Sequence, residues 1–209
     1  YIVVVNAFNL IDGVDGLASG IGLIASAAFG TWFALAGDAV LACLAFALAG
    51  SLFAFLFFNF SPARIFMGDS GALTIGMVIS ILAIKLISYD VSNIQDQFIL
   101  RMSRPIFAMA VLAYPLTDTL RIFLYRAVRG SSPFSADRNH LHHRLQDLGY
   151  SDMKTVIILY SVNIVIIGLC VALTYKSPTV TLLIVGSTTL LFALLPWIIK
   201  KIKGKKNEP

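Results

Sequence analysis

The sequence predicts an all-α fold, a polytopic transmembrane helical bundle of about six spans. Three observations predict it. The 209 residues are 58% hydrophobic and only 13% charged, with a mean hydropathy of +0.84, far from the balance of a water-soluble domain. Apolar windows recur at the length needed to cross a bilayer, about 20 residues. The cations fall in some connecting segments and avoid others.

In chain order, Tyr1–Val5 has the apolar character of a helix's last turn. Uncharged windows at 17–36 and 39–58 give the first two spans, with Gly37-Asp38 as the turn between them. The stretch 71–89 is apolar apart from Lys85, which lies near the outer end of its span and can snorkel. The stretch 105–125 carries Asp118 and Arg121 one helical turn apart. Charges there cost roughly 2.5–3.5 kcal/mol each on insertion scales, so a structural ion pair is expected. Windows at 155–175 and 179–199 complete the set. Cys43 and Cys170 fall in mid-span without metal-ligand spacing and read as core packing. Neither a repeat nor a linker divides the chain, so 1–209 reads as a single membrane-embedded domain.

The net charge of +5 would suit nucleic acid, but its distribution does not. Lys200, Lys201, Lys203, Lys205 and Lys206 lie in the tail, Arg126, Arg129, Arg138, Arg144 and Lys154 in the loop 126–154, and Arg64 after the second span. Alternating spans place all of these on one side and leave Arg101, Arg104 and Lys176 on the other. The positive-inside rule makes the first side cytoplasmic. Membrane lipid, not nucleic acid, is the partner this pattern implies. Segments 6–16, 59–70 and 126–154 then share the cytoplasmic face, and nearly every Asn, Asp, Arg and His able to do chemistry sits in them.

In Asn6-Ala7-Phe8-Asn9-Leu10-Ile11-Asp12-Gly13-Val14-Asp15-Gly16, the residues Asn9, Asp12 and Asp15 recur every three positions. On a helical turn that spacing aligns three oxygen-bearing side chains on one face. Such a group suits Mg²⁺ and phosphates, or equally caps the helix that begins near Leu17. In Phe58-Asn59-Phe60-Ser61-Pro62-Ala63-Arg64-Ile65-Phe66-Met67-Gly68-Asp69-Ser70-Gly71, Pro62 and the glycines interrupt any long helix. Asp69 becomes a metal-ligand candidate and Arg64 a phosphate partner; spacing alone also allows a capped loop. From Asp137 the chain runs Arg138-Asn139-His140-Leu141-His142-His143-Arg144-Leu145-Gln146-Asp147-Leu148-Gly149. This reads as a short helix capped by Asp137 and ended by Gly149, with Leu141, Leu145 and Leu148 as its apolar stripe and the cationic residues facing away. That cluster fits phosphate oxygens, although a basic interfacial helix or a transition-metal site would look similar.

Together the three segments resemble the polyprenyl-phosphate N-acetylhexosamine-1-phosphate transferases, the membrane enzymes of glycosyl transferase family 4. The family patterns NxxNLxDGxDGLAxG, FNxxPAxxFMGDxG and SPFxxDRxHLHH occur here in that order, and the likeness runs from Asn6 to about Tyr160. His140-Leu141-His142-His143 after Asp137-Arg138 looks like the branch that starts O-antigen, common-antigen and teichoic-acid chains. The resemblance implies transfer of an N-acetylhexosamine-1-phosphate, with N-acetylglucosamine the expected sugar, from a UDP-sugar to undecaprenyl phosphate, releasing UMP. It further implies Mg²⁺ (or Mn²⁺) held by Asp69 and Asp12, and Asp12, Asp15, Asp69 and His140 as catalytic residues. Asn6, Asn9, Asn59, Arg64, Arg138, His142 and His143 would bind substrate. The expected setting is the bacterial inner membrane, with the site facing the cytoplasm and a homodimer as an allowed assembly.

Two departures stand out. Ala72 replaces a Ser usual in the family, and the family's N-terminal Asp-Asp pair is absent. The chain therefore reads as partial and is expected to be inactive by itself. Within the family the alternative is a phospho-N-acetylmuramoyl-pentapeptide transferase-like enzyme, and two other functional classes remain. A transporter would work at mid-membrane through Asp118 and Arg121, and a membrane anchor would recruit soluble enzymes through its basic loop.

Overall fold

The computed structural model describes residues 1–92, 94–128, 130 and 139–205, with side chains through Lys200. Among them are ten helices and no strand: α1 (Ile2–Ile11), α2 (Leu17–Ala36), α3 (Ala39–Asn59), α4 (Gly68–Ile87), α5 (Gln97–Arg101), α6 (Arg104–Val111), α7 (Ala113–Val128), α8 (Leu141–Asp147), α9 (Asp152–Ala172) and α10 (Pro178–Lys205). The helices α2, α3, α4, α9 and α10 are each long and apolar enough to cross a membrane. The helices α6 and α7 together are also apolar and long enough to cross, but are bent by 75° where they meet. The count of six therefore holds only if that broken pair is one span, and the stretch 105–125 is not the straight helix that hydropathy suggests.

The helix α2 lies deepest in the bundle, with Ile21, Ala25, Phe29 and Phe33 fully buried. Lipid tails give helices no hydrophobic reason to associate, so close approach through small residues supplies the packing. At Gly20 the fit is tightest: a Cβ there would lie 1.8 Å from the Tyr160 hydroxyl of α9. At its far end α2 stops at Gly37, whose φ of +86° closes the turn, and Asp38 caps α3 by accepting from the Leu41 amide at 2.9 Å. Cys170 is buried as expected, whereas Cys43 is exposed on α3; mid-span position fixes depth but not which face meets lipid.

The helices α1 and α4 run antiparallel, so the C-terminal end of α1 meets the N-terminal end of α4. Their crossing is close enough that a Cβ at Gly76 would lie 2.8 Å from the Val5 Cα. Backbone cannot swing aside as a side chain can. Gly76→Ala is expected to destabilise the protein by about 1–3 kcal/mol, as overpacking does, and to loosen the pairing of α1 with α4. Thermal unfolding in detergent against wild type would measure the effect.

The bend between α6 and α7 is a consequence of sequence completed by a neighbour. Pro115 has no N–H, so the Val111 carbonyl loses its usual helical partner. The Asn163 side chain of α9, fully buried, donates to that carbonyl at 3.1 Å and accepts from the Tyr114 amide at 3.2 Å. One amide thus satisfies both backbone groups left over by the break.

The two ends of the bundle differ in chemistry. At the end bearing the loop 88–103, Trp32, Phe33 and Tyr89 form an edge-to-face cluster with centroids 5.3–5.9 Å apart, and Arg104 donates to the Tyr89 carbonyl. The short helix α5 lies within this otherwise irregular loop, capped by Asp96. At the opposite end converge the three motif segments.

Candidate functional site

The first motif is more helical than a loop reading suggests. The helix α1 continues through Asn6 and Asn9 to Ile11, and only Asp12 to Gly16 turn. Asn9, Asp12 and Asp15 accordingly do not share one helix face. Asn9 donates from Nδ2 to Asp69 Oδ1 at 3.2 Å across 60 residues of sequence. Asp15 accepts from the Ala63 amide at 3.0 Å, tying the turn to the second motif. No side chain caps α2; its N-cap is Gly16, in a left-handed conformation.

The second motif is not a loop throughout, because α4 begins at Gly68 and Asp69 stands in its first turn. A carboxylate there is favoured by the helix dipole. Asp69 is exposed, and so is Arg64. Asn59 behaves otherwise. It is buried, its Oδ1 accepts from the Gly16 amide at 3.2 Å and the Ser19 hydroxyl at 2.7 Å, and its Nδ2 donates to the Ile65 carbonyl at 3.0 Å. With its amide so committed, Asn59 joins the first two motifs. Asn6 donates within its own helix to the Ile2 carbonyl at 2.7 Å. From α9, the Tyr160 hydroxyl donates to the Gly16 carbonyl, a further tie that spacing did not reveal.

The third motif brings the largest revision. Arg138 and Asp137 lie outside the described residues; the N-cap of α8 is His140. Leu141 and Leu145 pack inward as predicted, but His140 and His142 are buried beside them rather than turned to solvent. The rings of His140 and His142 stack with centroids 5.4 Å apart and planes 8° from parallel, and His143 lies 4.3 Å from His142. His142 reaches the first motif: a Cβ at Gly13 would lie 3.2 Å from His142 Nε2. Burial pushes its pKa down to about 3 against the opposing pull of the Asp118 carboxylate, so the ring is neutral at pH 7. Its Nδ1 is buried without a protein partner among the described residues. His143 donates from Nδ1 to Gln146 Oε1 at 3.0 Å.

What holds His140 is Asp118. This fully buried carboxylate accepts from His140 Nδ1 at 2.7 Å, from the Leu141 amide at 2.8 Å and from Arg121 Nη2 at 3.0 Å. The expected pair with Arg121 is present, but the carboxylate also orients a histidine and caps a helix 22 residues on. Carboxylates only accept, so Nδ1 carries the proton and His140 Nε2 is left for other work. Asp118 was legible as an intramembrane charge; its partner was not, because the link depends on the bend at Leu112.

Asp12 feels the assembled site. Partial burial raises its pKa to about 6, with further contributions from the charges of Asp69 and then Asp15. Among the described residues, no three His, Cys, Asp or Glu side chains form a ready metal-binding group. Mg²⁺ does not require one, since it is commonly held by one or two carboxylates, waters and substrate phosphates. Asp12 and Asp69, oxygen donors whose mutual repulsion a cation would relieve, fit that mode.

The raised carboxyl has a thermodynamic sign. Because folding lifts the Asp12 pKa from 3.8 to about 6, the folded state binds more protons than the unfolded state between those values. The cation-free protein therefore loses stability as pH rises through that interval. Added Mg²⁺ is expected to raise the melting temperature at neutral pH and to do so much less near about pH 5, where Asp12 holds its proton. Melting curves with Mg²⁺ and with a chelator at the two pH values provide the check.

Residues 1–87 match the model of glycosyl transferase family 4. A decaprenyl-phosphate N-acetylglucosaminephosphotransferase of Mycolicibacterium smegmatis is 39% identical over 168 residues, covering 75% of this chain and 41% of that protein. A probable undecaprenyl-phosphate N-acetylglucosaminyl 1-phosphate transferase of Bacillus subtilis is 32% identical over 208 residues, 98% of this chain and 54% of its own length. An undecaprenyl-phosphate alpha-N-acetylglucosaminyl 1-phosphate transferase of Escherichia coli is 29% identical over 159 residues, 74% of this chain and 41% of its own. The chain thus spans about half the length of the curated relatives it matches. With its motifs meeting at one end of a membrane bundle, the chain belongs to glycosyl transferase family 4.

Proposed function

We propose that the full-length protein transfers N-acetylglucosamine-1-phosphate from UDP-N-acetylglucosamine to a polyprenyl phosphate such as undecaprenyl phosphate and releases UMP. The observation that carries this reading is the meeting of three distant segments at one end of the bundle: Asn9 on Asp69, Asp15 on Ala63 and His142 against Gly13. Acidic and imidazole groups gathered at a membrane boundary suit a substrate pair in which one phosphate arrives from water and the other from lipid. The relatives named above are sugar-phosphate transferases for such carriers.

In this reading a carrier phosphate oxygen attacks the phosphorus that bears the sugar, and the bond from that phosphorus to UMP breaks. Asp12 and Asp69 would hold Mg²⁺, which supplies charge neutralisation at the diphosphate. Asp15 keeps the 59–70 segment against the turn, and Arg64 and Arg138 offer forked donors to phosphate. Neutral His142 adds hydrogen bonding without net charge, His140 is oriented by Asp118, and His143 lies at the rim. The segregation of cations supports placing this end at the cytoplasmic face, in this reading that of the bacterial inner membrane. A transporter is less well supported, because Asp118 and Arg121 are committed to each other and to the start of α8 rather than to a path.

UMP release from UDP-N-acetylglucosamine by membranes containing the full-length protein tests the proposal, with undecaprenyl phosphate and Mg²⁺ each present or omitted. Release that requires both is expected. No release with any UDP-hexosamine would overturn the reading.

A further inference from the structure

Away from the motif turn, α8 and the end of α10 enclose a cavity of about 100 Å³ lined by Arg144, Asp147, Leu148, Pro196, Trp197 and Lys200. Trp197 is its platform. The Arg121 guanidinium lies 4.8 Å and that of Arg144 5.7 Å from the indole ring centre, both within cation–π range. The Nε atoms of both arginines are buried and have no hydrogen-bond partner among the described residues. Arg121 is paired with the buried Asp118, whereas the counter-charge to Arg144 is weak: Asp147 stands 3.9 Å from it but is 65% exposed, where an ion pair contributes little.

Position adds a second argument. The apolar run of α10 extends from Pro178 to Lys200, so the cavity opens where the hydrocarbon ends and headgroups begin. Tryptophan favours that depth, and Lys201, Lys203, Lys205 and Lys206 follow at once in sequence. Basic pockets between helices at this level take lipid phosphates.

We propose that this cavity is a binding site for the headgroup phosphate of an anionic phospholipid, held by Lys200 and Arg144 over Trp197. The site ties α8, and with it the buried histidines, to the lipid composition of one leaflet. This inference rests on α10 crossing the bilayer and not on the transferase reading, so each can fail alone.

The test is a titration of the full-length protein in neutral detergent with phosphatidylglycerol or phosphatidylcholine of equal chain length, followed by native mass spectrometry. Phosphatidylglycerol is expected to bind more tightly. Lys200→Ala should weaken it about fivefold, in keeping with roughly 1 kcal/mol per interfacial cation, and Lys200→Glu should erase the preference. Trp197→Leu, which removes the platform and no charge, should also weaken it while phosphatidylcholine binding is unchanged. Lys154→Glu, outside the cavity, should leave the preference intact. Equal binding of the two lipids, or equal effects of Lys154→Glu and Lys200→Glu, would overturn the site in favour of a diffuse field. One-for-one displacement by undecaprenyl phosphate would overturn the phospholipid assignment and give the cavity to the carrier.

Discussion

Asp69→Asn in the full-length protein is expected to reduce UMP release by roughly 10²–10³-fold while leaving the protein folded, the scale on which loss of one preorganised charge-stabilising group acts. The side chain is exposed in the first turn of α4, so its replacement opens no cavity. Its contact with Asn9 uses one oxygen, which the amide of asparagine retains. The structural loss is confined to a favourable helix-dipole interaction, about 0.3–1 kcal/mol. Function should lose far more, because Asp69 and Asp12 are the pair proposed to hold Mg²⁺. Activity and melting temperature measured on the same preparation separate the two effects. Activity within a few-fold of wild type would remove Asp69 from the metal site; a large fall in melting temperature would instead make it a structural residue.

Asn163→Leu is expected to be the most destabilising substitution in the spans, although the residue lies far from every motif in sequence. Leucine fills similar space but leaves the Val111 carbonyl and the Tyr114 amide buried without partners. Each unsatisfied group costs about 1–3 kcal/mol, so roughly 2–6 kcal/mol is at stake. Asn163→Asp should fall between, since its carboxylate can still accept from Tyr114 but cannot donate to Val111. The loss should also reach the site, because α7 carries Asp118 and the bend sets where that carboxylate meets His140. Yield of folded protein in detergent, melting temperature and UMP release should decline in the order wild type, Asp, Leu. A leucine variant as stable as wild type would mean that the bend does not depend on Asn163.

Much of this architecture was readable in one dimension. Bilayer thickness imposes a length on apolar runs, so the spans at 17–36 and 39–58 agree with α2 and α3 to within a residue at each end. The motif segments were readable for a related reason, since polar residues in so apolar a chain are costly and stand out. The broken span was less visible. Hydropathy averages over a window and reports depth, whereas a bend depends on where Pro115 leaves a carbonyl and which neighbour satisfies it. The cationic helix was misread because leucines seemed to define its only buried side. In the structure the imidazoles are buried too, made tolerable by Asp118 below His140 and by the neutrality of His142.

The sequence by itself determined that the protein is a helical membrane bundle and that its chemistry is gathered on one side, because the solvent dictates the length of every span and the distribution of charge. Tertiary structure alone decided the roles within that side. It made Asn59 a clip between the first two motifs, joined Asp118 to His140, and placed Asn163 at the break between α6 and α7. These are pairings between residues 22 to 52 positions apart. They exist because a buried polar group must find a partner in space, and nothing along the chain specifies which one.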